Sequence, residues 1–82
     1  MQVVLSKDSQ KQYEKLPKTE KLKIRKKLQV LENHPYDGKR LTGEMQGIYS
    51  IRAWPYRILY EINATKKRIE VHKIAHRQGV YL

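Results

Sequence analysis

The sequence predicts an α+β domain: one N-terminal strand, a helical hairpin, then a three-stranded antiparallel meander. Three observations lead there. Up to Asn33, apolar residues recur at helical spacing, and beyond Gly47 the period changes to two. The two helical segments are joined only at Leu16-Pro17-Lys18. The strands are joined by links so short that antiparallel neighbours are favoured.

Gln2 to Leu5 is a short apolar run that reads as a strand. Ser6 and Asp8 follow as candidate helix caps, since their side-chain oxygens can accept from free helix N–H groups. A first helix runs to Leu16, with Tyr13 and Leu16 on one face. Pro17 stops it, having no N–H and forcing Leu16 away from the α region. Lys18 to Asn33 is the longest periodic segment. Ile24, Leu28 and Leu31 form a stripe at i, i+4 and i+7, flanked by Leu22 and Val30 and backed by Lys and Glu. His34-Pro35 ends it. Tyr36 to Gln46, with Asp37-Gly38 and Gly43, reads as a loop anchored by Leu41.

Ile48 to Ala53, Tyr56 to Ile62 and Arg68 to Ala75 read as strands, the first two linked by Trp54-Pro55 and the last two by residues 63–67. Alternation gives this sheet two faces. Tyr49, Ile51 and Ala53 share one face with Tyr56, Ile58, Tyr60 and Ile62, and should pack on the helices. Ser50 and Arg52, with Arg57, Leu59 and Glu61, occupy the other.

The chain has 82 residues, enough for one domain spanning 1–82, and no cysteine, so neither a disulfide nor a thiolate zinc site is available. That fits a reducing compartment. No apolar run approaches the ~20 residues that cross a bilayer. The first ten residues lack the pattern of a secretory signal, so no membrane association is expected. Lys and Arg number 18 against 8 Asp and Glu, a net charge of +10. Such an excess points to a polyanionic partner.

Arg52 and Arg57 are the first candidates for chemistry. A strand Arg turned away from the core is ordinarily a solvated residue. Two on adjacent strands and one face are different, because opposed like charges cost free energy unless an anion lies between them. The planar guanidinium fork suits phosphate. The C-terminal run adds His76, Arg77 and Tyr81. Each alone is ordinarily structural or solvated. Together they are the parts of a metal-free ribonuclease site: His moves a proton near neutral pH, Arg stabilises a pentacoordinate phosphate, and Tyr stacks on a base or offers a phenolic proton. There is no glycine-rich phosphate loop. The acidic residues are scattered, and His34, His72 and His76 lack metal-ligand spacing, so neither metal nor cofactor is expected. The basic stretch Lys18 to Lys27 reads most simply as a solvated helix face.

Leu41-Thr42-Gly43, Tyr49-Ser50-Ile51-Arg52, Tyr56-Arg57-Ile58-Leu59-Tyr60-Glu61-Ile62 and the closing His76-Arg77 with Tyr81 resemble the RelE/ParE superfamily of toxins from toxin–antitoxin systems. The likeness covers nearly the whole chain, including Lys15-Leu16-Pro17. It implies a RelE-like microbial RNase fold, a four-stranded sheet completed by the N-terminal strand, with helices on one face. It also implies metal-independent cleavage of mRNA in the ribosomal A site of the 30S subunit, by attack of a ribose 2′-hydroxyl on the neighbouring phosphate. A cytoplasmic location follows, as does a cognate antitoxin with an acidic segment.

The implied roles fall on Arg57 as the central phosphate clamp, Arg52 as a basic strand position at the reacting centre, and Arg77 near the leaving group or phosphate. Tyr81 would stack on a base or transfer a proton, and His76 would act as general acid or base. Arg40 and Lys73 are further candidate RNA-binding residues. Ser50 and Thr42 stand where the best-known RelE member contributes Lys and Arg, so the proton would rest with His76 or Tyr81. Retention of Arg52, Arg57, His76, Arg77 and Tyr81 favours the ribonuclease branch. The alternatives are a ParE-like protein that inhibits gyrase without nuclease chemistry, or a non-toxic basic nucleic-acid-binding module.

Overall fold

The computed structural model describes residues 1–78, in the order β1 (Gln2–Leu5), α1 (Lys7–Glu14), α2 (Lys18–Asn33), β2 (Lys39–Arg40), a 3-10 turn (Gly43–Met45), β3 (Tyr49–Ala53), β4 (Tyr56–Asn63) and β5 (Arg68–His76). The strands form one mixed sheet in the order β1-β5-β4-β3-β2. β1 runs parallel to β5, with Leu5 opposite Val71, and the remaining pairs are antiparallel. The α+β order of strand, two helices and meander is therefore as the periodicity predicts.

The sheet has five strands where four were expected. Lys39–Arg40 pairs with Ser50 and Tyr49 inside the segment read as a loop. Two exposed cationic residues carry no apolar alternation, so nothing marks them as a strand in sequence. Their pairing is continued by Leu41, whose N–H donates to Ile48 O at 2.9 Å.

Of the two candidate caps, Ser6 caps helix α1 and Asp8 lies inside it. Ser6 Oγ accepts from Ser9 N–H at 3.1 Å, and Asp8 sits in the first turn. It stops at Glu14, two residues short of Leu16. The helix then takes over the edge of β5 where β1 leaves it. Ser6 N–H and Ser9 Oγ both donate to Val71 O, and Gln12 Oε1 accepts from Ile74 N–H at 2.7 Å. Ser9 is fully buried for this reason. Arg25 Nη2 donates to Tyr13 OH at 2.9 Å and ties the helices together.

One face of the sheet carries the core. Ile24 and Leu31 of α2 are fully buried against Ile51, Ala53, Ile58, Tyr60, Ile69, Val71 and Ile74. Truncating either helix residue to Ala would cost about 2–5 kcal/mol. Leu22 and Val30, expected to flank this stripe, are exposed. Between Leu59↔Lys73 and Tyr60↔Val71 the register slips by one, so His72 is the extra residue of a β-bulge. The slip lets Val71 and Ile74, an odd number of residues apart, both reach the core.

Candidate functional site

The site grows from β3, β4 and the two-residue connection between them. Arg52 and Arg57 are direct cross-strand partners, the last but one pair before the turn. Across β4, Arg57 pairs with the small Ala75 of β5. The next row is Lys39, Ser50, Leu59 and Lys73, one residue from each of four strands. Strand alternation puts both rows on the face opposite the main core. Leu59 is buried there but lies outside the core cluster. Among the described residues, Arg52 and Arg57 make no ion pair with a carboxylate. Cross-strand arginines with no carboxylate partner among the described residues are an arrangement suited to an anion.

Trp54 joins a third cation to this pair. It is 54% exposed at the turn, with the Arg52 guanidinium 5.9 Å and the Arg77 guanidinium 5.0 Å from its ring. Arg77 is fixed there by its N–H, which donates to Pro55 O at 2.9 Å. Arg52, Arg57 and Arg77 thus gather at one end of the sheet. Sequence reasoning treated Trp54 only as a connection, although an exposed Trp in a turn flanked by Arg was the available signal.

His76 is placed differently. It pairs with Tyr56 and keeps the parity of Ile74, so it belongs to the helix-side face rather than the arginine face. Its ring meets Tyr56 edge-on at 5.9 Å, and its Nδ1 accepts from Gln78 N–H at 3.3 Å. Tyr81 lies outside the described residues. Arg40 pairs with Tyr49 and shares its parity, whereas Lys39 aligns with Ser50 in the cationic rows. Lys73 lies in the same row, two residues before Ala75. Ser50 is buried, and its hydroxyl has no hydrogen-bond partner among the described residues.

Behind the rows, Tyr60 OH donates to Pro35 O at 2.8 Å and accepts from Gly38 N–H at 3.0 Å. Its ring stacks on Tyr49, which meets Tyr36 edge-on. Burial pushes the Tyr60 phenol above its ordinary value, opposed by the Gly38 hydrogen bond. Gly38 is needed for this contact, because a Cβ there would lie 2.5 Å from the phenol oxygen.

By fold and by sequence this α+β chain stands among the toxins of type II toxin–antitoxin systems. The family described as ParE toxin of type II toxin–antitoxin system, ParDE, matches residues 3–81, and the chain belongs to this family within the RelE/ParE superfamily. The chain is similar in structure to a YoeB/ParE toxin from Agrobacterium tumefaciens, with a TM-score of 0.83 at 24% identity over 94% of this chain and 99% of that one. It is also similar to the toxin–antitoxin complex RelBE2 from Mycobacterium tuberculosis, with a TM-score of 0.85 at 26% identity over 93% and 96% of the two chains. The archaeal RelE–RelB complex from Pyrococcus horikoshii matches with a TM-score of 0.76 at 25% identity over 96% and 97%. No curated protein matches in sequence.

Proposed function

We propose that this toxin is a metal-independent endoribonuclease that cleaves mRNA on the ribosome, at the 30S A site, and is held in check by an antitoxin with an acidic segment. The observation that carries the reading is the Arg52–Arg57 pair, cross-strand partners with no carboxylate in ion-pair contact among the described residues. In this reading the pair receives the scissile phosphate. A ribose 2′-oxygen attacks the adjacent phosphorus, the P–O5′ bond breaks, and a 2′,3′-cyclic phosphate and a 5′-hydroxyl result. Arg57, between Arg52 and the small Ala75, stabilises the charge of the pentacoordinate state. Arg77 adds positive charge at the same end of the sheet. One proton must leave the 2′-hydroxyl and one must reach the departing 5′-oxygen; Tyr81 and His76 are the proposed carriers, His76 from the other face of the sheet but in the strand position next to the Arg57–Ala75 pair. Arg40 and Lys73 are proposed to hold the flanking RNA. The location would be cytoplasmic, where mRNA is translated.

A second reading is favoured by one specific finding, the ParE family match: a toxin that inhibits gyrase by binding. Primer extension on mRNA after pulsed expression, beside a gyrase supercoiling assay, separates the two. Sharp mRNA breaks with intact supercoiling are expected. Lost supercoiling with intact mRNA would establish the second reading.

A further inference from the structure

Strand β2 covers only the Tyr49 and Ser50 part of β3, so among the described residues no strand pairs with the outer edge of β3 from Ile51 to Ala53. Beside it lies a groove of about 540 Å³ between α2, this edge and the turn. Its rim is cationic: Lys23, Lys26 and Lys27 from α2, and Arg52 from β3. Its floor is apolar, formed by Val30 and Ala53 and closed at one end by Trp54. Val30 is 38% exposed there, an apolar surface left uncovered on a highly charged protein. Lys23 has Glu20 at 3.4 Å, whereas Lys26 and Lys27 have no carboxylate within ion-pair distance among the described residues.

Resting on the ribonuclease reading above, we infer that this groove holds single-stranded RNA beside the scissile phosphate, with Trp54 as a positioning residue that stacks on a base. Continuity with the arginine pair is the first argument. Arg52 belongs to both, so a strand whose phosphate rests on Arg52 and Arg57 brings its neighbouring nucleotide to Trp54. Charge is the second. Positions 23, 26 and 27 lie on one helix face at i, i+3 and i+4, a basic track for a phosphate backbone. The floor is the third. A track of cations beside an exposed aromatic ring is the combination that binds single strands with little regard to sequence. Two guanidiniums at the Trp54 ring hold it in place and add their own charge to the track. An acidic peptide would use the charge but would leave the ring without a planar partner.

Trp54 is the sole tryptophan of the chain, so its fluorescence reports on the turn where the groove meets the arginines, and an abasic strand separates stacking from phosphate contact. The full chain is titrated with a 2′-O-methylated RNA of about ten nucleotides, which binds but lacks the attacking hydroxyl. Three parallel titrations use an abasic strand of equal length, a poly-glutamate peptide, and the Lys26→Gln/Lys27→Gln variant with the RNA. Saturable quenching by the RNA and not by the abasic strand is expected. The variant should bind about tenfold more weakly and lose roughly 1.4 from its log–log salt slope. RNA binding without quenching, equal quenching by the abasic strand, or a response to poly-glutamate alone would overturn the inference. The last result would make the groove a protein interface. Cleavage of unmodified mRNA is measured on the same protein. Cleavage without quenching refutes the groove and keeps the nuclease, whereas quenching without cleavage keeps the groove and refutes the nuclease.

Discussion

At the scale of single residues, Arg57 and Tyr60 stand three apart on β4 and face opposite sides of the sheet. Arg57→Ala should leave the fold intact, since its side chain supports no core contact, and should slow mRNA cleavage by about 30- to 1000-fold. That range corresponds to losing roughly 2–4 kcal/mol of transition-state stabilisation. Single-turnover cleavage, with circular dichroism to confirm folding, checks it, and near-wild-type cleavage would remove Arg57 from the clamp. Arg57→Lys should recover part of the rate, because an ammonium keeps the charge without the fork. Tyr60→Phe acts on stability instead. It leaves Gly38 N–H and Pro35 O without their shared partner, at a cost of about 1–3 kcal/mol. The same residue sets an alkaline limit. Its folded pKa is raised above the ordinary 10.0, so the folded state holds the proton more tightly than the unfolded chain. Its contribution is complete below pH 10 and is lost as pH rises through the folded value. Denaturation midpoints at pH 8 and pH 11 should therefore converge between wild type and Tyr60→Phe at the higher pH. A constant gap would show that the folded and unfolded states hold the Tyr60 proton equally tightly.

Among elements, α1 acts as a substitute strand along the upper edge of β5. Gln12→Leu preserves the bulk of the side chain and removes the acceptor of Ile74 N–H. It should cost about 1–3 kcal/mol and accelerate amide exchange at Ile74 ahead of other β5 amides. Unchanged exchange at Ile74 would mean that another group serves that amide. This docking explains part of what the sequence could and could not reveal. Cap chemistry at Ser6 and the stripe of Ile24, Leu28 and Leu31 are local signals, and both helices were legible. The slip at His72 leaves no local mark, since any residue can occupy a bulge. It nevertheless decides whether Ala75 or Ile74 stands opposite Arg57, and with that the face His76 takes. That is why alternation could place Arg52 and Arg57 together across a two-residue turn, while the face of His76 had to wait for the register. Lys39 and Arg40 show the same limit, because their roles depend on a pairing with Ser50 and Tyr49 that no periodicity announces.

Over the whole molecule, the net charge of +10 is not spread evenly in its effect. The arginine face and the lysine rim of the groove meet at Arg52, forming one continuous basic surface. An acidic antitoxin segment should be steered to it, so the association rate measured by stopped flow should fall as ionic strength rises. Affinity should persist, because exposed Val30 and Leu22 offer apolar anchors that salt does not screen. An association rate indifferent to salt would show that the antitoxin reads another surface. Overall charge and the absence of cysteine were plain in the sequence. The meeting of two basic surfaces at one residue was not, because it depends on where β2 stops along β3.

The parallel pairing of β1 with β5 bears on when the toxin becomes a toxin. Gln2 finds its partner in Arg68, so the first strand made must wait for 66 further residues. At about 5–20 residues per second, that wait is roughly 3–13 seconds of synthesis. Throughout it, the strand that separates β1 from β4 does not yet exist, and neither Val71 nor Ile74 is present to complete the core. Arg57 is made before β5, yet it has no scaffold until β5 arrives. A nascent chain halted before Arg68 should thus be cut by protease at sites that resist in the finished protein. The interval leaves each new molecule incompletely folded during its own synthesis, and gives a partner already present time to meet it as it folds.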